Sequence, residues 1–62
     1  MSNSNFPDKQ ILDALDHLES VMFLLSEWEQ NFIGDISEKF DNGYSLSDNQ
    51  RQKVMDIYNR TM

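Results

Sequence analysis

One histidine, eleven acidic residues and no cysteine bound the chemistry open to this 62-residue chain. His17 lies one helical turn after Asp13 and directly beside Asp16. That spacing could give a carboxylate-oriented general base or a metal ligand with a supporting acid. There is no second His and no His-Glu-x-x-His pair, and no thiol nucleophile. A zinc site would have to draw nearly every ligand from carboxylates, which is unusual. Ser-His-Asp chemistry also needs an oxyanion hole, and a short helical chain offers little from which to build one. His17 therefore reads as a helix-surface residue between acids, and we expect no catalytic residue, no metal and no cofactor.

The segment Glu38 to Asn49, EKFDNGYSLSDN, places Gly43 where a calcium loop wants its glycine. The ligand positions fail, however: Phe40 stands third, Ser45 eighth and Asn49 twelfth, where a bidentate Glu is required. Glu29 is a different case. On a continuous helix it points into the apolar arc between Leu25 and Phe32, and a carboxylate there must be paired or reach water. Arg51, Lys53 and Tyr58 of the last helix, or a symmetry mate, are the candidate partners, the alternative being a bend that lets Glu29 reach solvent.

Any such residue must be positioned by helices. Ile11, Leu15, Leu18, Met22 and Leu25 follow steps of 4, 3, 4 and 3, and Phe32, Ile33, Ile36 and Phe40 form a second stripe. At 100° per residue these residues and Val21 share an arc of about 120°. The agreement of phase predicts one long helix from about Pro7 to Asp41, with Pro7 in its first turn. A competing signal is Ser26-Glu27-Trp28-Glu29, a capping box that would bend or break the helix near Ser26. Against a break, the position that should complete a hydrophobic staple with Leu25 is Gln30. Gly43 ends this region as a left-handed C-cap. A second capping box, Ser47 to Gln50, opens a last helix over about 48–60, with Val54, Ile57 and Tyr58 inward. The expectation is an all-α fold: a helical hairpin over residues 7–62, in one domain, after a disordered tail at 1–6.

A chain this short buries only about 60% of its unfolded surface. Without disulfides or metal, a partner chain is the remaining support, and a two-fold dimer with a bundle-like core is expected. Leu12, Phe23, Leu24 and Trp28 lie off the main apolar arc and near one level of the predicted helix. Such a patch marks a protein interface. Asp13, Asp16, Glu27, Asp35, Glu38 and Asp41 fall on the opposite arc. The row reads as the solvated face of an amphipathic helix, or else as carboxylates spaced like phosphates over roughly 42 Å.

The formal charge is −6. Residues 1–47 carry nine acids against Lys9 and Lys39, whereas residues 48–62 carry Arg51, Lys53 and Arg60 against two acids. Phosphate backbones repel such a chain, so direct nucleic-acid binding is not expected. The apolar run at Val21–Leu25 falls far short of the ~20 residues of a membrane span. The polar start lacks the features of an export signal, and the expected location is the cytoplasm.

From Leu25 to Arg60 the chain resembles a helical pattern, L-S/T-x-W-E-x-x-F-I-x-x-I, then Gly, then L-S-x-x-Q-x-x-x-V-x-x-I-Y-x-R. The positions that carry it include Trp28, Glu29, Phe32, Ile33, Gly43, Leu46, Ser47, Gln50, Tyr58 and Arg60. The pattern is associated with small phage-encoded proteins and accessory parts of phage nucleic-acid enzymes. The resemblance implies a setting in phage nucleic-acid metabolism or counter-defence, in the host cytoplasm, for a protein that docks on a nucleic-acid-processing or defence protein. Its matching positions are mostly core and capping residues and imply no activity. The alternative function is an acidic inhibitor that mimics nucleic acid.

Overall fold

A computed structural model describes residues 6–62. It is all-helical: α1 (Asp8–Ser20), a single 3-10 turn (Met22–Leu24), α2 (Glu27–Asp41) and α3 (Asp48–Thr61). The continuous helix expected from Pro7 to Asp41 is broken, so the described chain has three α-helices rather than a two-helix hairpin. A 35-residue helix would run about 52 Å, whereas the longest dimension of the molecule is 34 Å. The break lets α2 fold back along α1.

The residues around Ser26 explain the break. Leu25 (φ −96°, ψ 151°) and Ser26 (φ −67°, ψ 165°) are extended. Ser26 Oγ accepts the Glu29 N–H at 3.3 Å, and Glu29 Oε1 accepts the Ser26 N–H at 3.0 Å, closing the capping box. Gln30, which lacks the apolar surface for a staple, does a polar version of the same task. Its side-chain amide donates to the carbonyls of Met22 (2.9 Å) and Leu25 (3.1 Å). The Leu25 carbonyl lies outside the helices and gains a partner in this way, while the Met22 carbonyl also accepts the Leu25 N–H (3.0 Å). Ser26→Ala is expected to lower stability by about 1 kcal/mol, read as a shift in the urea midpoint at unchanged slope. No shift would mean that Gln30 alone holds the corner.

The other end of α2 follows the sequence. Gly43 takes φ 83°. Its N–H donates to the Phe40 carbonyl (3.1 Å) and that of Tyr44 to the Lys39 carbonyl (2.9 Å), the paired bonds of a Schellman motif. Ser47 and Gln50 then cap α3 reciprocally.

Two pairs of contacts fix the topology. Asp8 meets Arg51, and His17 meets Tyr58, so α1 and α3 run parallel. Ser37 bonds Glu19 near the end of α1, and Arg60 near the end of α3 meets Glu29 at the start of α2. Thus α2 runs back antiparallel along α1, and its first turn lies against α3, where Lys53 also reaches Trp28. The packing of α1 on α3 is the most extensive in the molecule; the short α2–α3 connector had suggested α2 as the main neighbour of α3.

The core draws on all three helices. Ile11, Ala14, Leu15 and Leu18 of α1 meet Ile33 and Ile36 of α2 and Val54, Met55 and Ile57 of α3. Leu25 and Leu46 close it from the connectors. Every residue of the apolar arc is buried or half-buried, including Val21, Met22, Phe32 and Phe40 at its margin. Phe6, assigned to the tail, also packs against this core, while tail residues 1–5 lie outside the described residues.

Candidate interaction surface

The 3-10 turn and the first turn of α2 form a corner whose side chains the core does not enclose. Phe23 is 78% exposed, Leu24 56% and Trp28 57%. The reason is the break itself. With α1 ended at Ser20 and Leu25 turned inward, the short 3-10 turn has no face left to hide Phe23 and Leu24. Trp28 has two neighbours. Its ring stacks on Phe32 with centroids 5.4 Å apart and planes within 4°, and Lys53 Nζ stands 5.3 Å from the ring centroid. A pre-set indole with little rotamer freedom left to lose is a good interface anchor.

Leu12 does not belong to this corner. It is 51% exposed, but it lies nearer the other end of α1, beside Phe40 and Tyr44. Phe23 comes eleven residues after Leu12, about 16 Å along any helix, so the single patch expected of Leu12, Phe23, Leu24 and Trp28 is divided in the folded chain.

The six acids of the predicted row are all exposed. They do not form one line, because Asp13 and Asp16 ride on α1 while Glu27, Asp35, Glu38 and Asp41 ride on the antiparallel α2. Asp13 pairs with Lys9 at 3.7 Å, an exposed i, i+4 contact worth a few tenths of a kcal/mol (~0.3–0.5).

His17 is not the solvated residue that its acidic neighbours suggested. It is half-buried against α3, edge-on to Tyr58 with ring centroids 5.2 Å apart. Its Nε2 is buried and has no hydrogen-bond partner, so it is not held for proton transfer by Asp13 or Asp16. Glu29 follows neither alternative in full, since its side chain is only 16% exposed. The helix breaks, and the carboxylate caps Ser26 while its other oxygen pairs with Arg60, not with Arg51, Lys53 or Tyr58.

Arg51 has a role that sequence reasoning missed. Its guanidinium donates to the Phe6 carbonyl (2.7 Å) and the Leu46 carbonyl (3.3 Å) and pairs with Asp8 (2.8 Å). It clamps the start of α1 to the start of α3. Contacts to backbone carbonyls 45 and 5 residues away leave no signature in a local pattern.

Among the described residues no group of three or more His, Cys, Asp or Glu is arranged to hold a metal ion, and no helix is long and apolar enough to cross a membrane. No family model matches the chain, and no curated protein or solved structure matches it.

Proposed function

We propose that this chain is a non-enzymatic protein-binding module that docks through the corner formed by Phe23, Leu24 and Trp28. The observation that carries the reading is the exposure of three large apolar side chains within six residues, beside a core that is already closed. Exposed apolar residues scattered singly carry no meaning, whereas a concentrated aromatic patch braced by Phe32 and Lys53 has the composition of an interface centre. The setting, a small phage-type accessory protein acting on a nucleic-acid-processing or defence protein, is supported by the resemblance of Leu25–Arg60 alone. A two-fold dimer of the chain through the same corner is part of the proposal.

The test is the mass in solution, by light scattering, over rising concentration and after mixing with lysate of the native host. Wild-type protein is expected to enter a larger species and the double variant Phe23→Ser/Trp28→Ser to stay monomeric. Both residues are more than half exposed, so the variant should keep its fold. A wild-type chain that remains monomeric under all conditions would overturn the proposal.

A second reading, an acidic inhibitor that occupies a nucleic-acid channel, rests on the exposure of all six carboxylates, carried on α1 and α2 rather than in one line. Charge reversal at Asp13, Asp16, Glu27 and Asp35 would then abolish inhibition, and added salt would weaken it. Indifference to both would remove this reading.

A further inference from the structure

Away from the corner, α1 and α2 leave a groove between them. Asp8, Leu12, Asp16 and Glu19 recur at intervals of four, four and three and share one face of α1. Phe40 and Asp41 face them from α2. The groove consists of two adjoining hollows of about 250 and 220 Å³ that share Leu12 and Phe40 in their lining. Leu12 is half exposed there, and Phe40 is half-buried. No Lys, Arg or His lines either hollow; the charged lining is Asp8, Asp16, Glu19 and Asp41. Asp8 is already paired with Arg51, so the groove has an apolar floor and an anionic rim made by Asp16, Glu19 and Asp41. Ser37 Oγ donates to Glu19 Oε2 at 3.2 Å, which ties the two walls together and fixes one rim carboxylate.

We propose that this groove seats a short amphipathic helix of a partner protein, with an apolar face and flanking Lys or Arg. Charge complementarity selects the occupant. A second copy of this chain, with its net charge of −6, is disfavoured at these carboxylate rims, unlike at the corner where Lys53 stands beside Trp28, and a phosphate backbone is disfavoured here in the same way. A purely polybasic strand would satisfy the rims but leave Leu12 and Phe40 wet. From Asp8 to Glu19 the wall is about 16 Å long, or three helical turns. That length matches apolar anchors at i, i+3 or i+4, and i+7 laid into a groove. The groove is separate from the Phe23–Trp28 corner, so the inference stands whether or not the corner binds.

The test uses the full chain and a fluorescein-labelled peptide of about 14 residues, built from Ala, Lys and three Leu on one helical face. One control peptide has the same composition with the Leu residues scattered; another has Glu in place of Lys. Fluorescence anisotropy is expected to show binding of the first peptide only, weakening as salt is raised. Leu12→Asn, and separately Asp16→Lys/Asp41→Lys, should each weaken it by about tenfold or more, while Phe23→Ser leaves it unchanged. These residues are exposed, and circular dichroism would verify that each variant is folded. Equal binding of the scattered peptide, loss of binding in Phe23→Ser but not in the groove variants, or no binding of the first peptide at low salt would each overturn the proposal.

Discussion

Leu18→Ala is expected to bring the domain close to the edge of stability at 25 °C. Leu18 is completely buried where α1 contributes to the core. Removing a buried leucine beyond its Cβ typically lowers stability by about 2–5 kcal/mol, because lost transfer energy and an unfilled cavity add. Domains of this size hold roughly 3–9 kcal/mol in total, so one side chain accounts for a large share. The melting temperature should fall by at least about 10 °C, followed by circular dichroism at 222 nm. Leu12→Ala on the same helix is the control: Leu12 is half exposed and should change stability by less than about 1 kcal/mol. Equal effects at the two positions would mean that the core is not packed as described.

Arg51→Ala should follow at about 2 kcal/mol of destabilisation, although no apolar contact is its purpose. The guanidinium is only 13% exposed and serves two backbone carbonyls. Hydrogen bonds to a charged group contribute roughly 1.5–3 kcal/mol, and the acceptors left behind lose their partner in a partly buried place. Lysine cannot substitute, because a single ammonium lacks the planar fork that reaches Phe6, Leu46 and Asp8 together. The Asp8 carboxylate is 69% exposed, so Asp8→Asn should reduce stability by less than about 1 kcal/mol. Urea unfolding of Arg51→Ala, Arg51→Lys and Asp8→Asn separates the roles. If Arg51→Lys matched wild type and Asp8→Asn equalled Arg51→Ala, the clamp would be a plain ion pair.

The inward-facing residues were legible in the sequence, whereas the helix that carried them was not. Burial follows the 3.6-residue period within any one helix, so Ile11 through Leu18 and Ile33 through Phe40 declare themselves. The intervening stretch happens to keep the same phase, and phase alone cannot tell one rod from two. The capping box at Ser26 was visible and correct. It competes with the shared phase because Gln30 offers no staple, and the Gln30 amide instead bonds the carbonyls of Met22 and Leu25. The exposure of Phe23, Leu24 and Trp28 could be anticipated from their position off the arc. The grouping of Leu12 with them could not survive the fold, and the α1–α2 groove could not be foreseen while both helices were read as one. Long-range polar contacts such as Arg51 with Phe6, or Arg60 with Glu29, have no period to betray them.

The parallel packing of α1 on α3 has a consequence for how the chain acquires its shape during synthesis. Helix α1 finds its principal mate in α3, beyond the whole of α2, and closing so wide a loop must precede any gain from the contact. A nascent chain halted before α3 would hold Ile11, Leu15 and Leu18 partly bare, inviting capture by chaperones or proteases. The core closes only once α3 is free to reach α1.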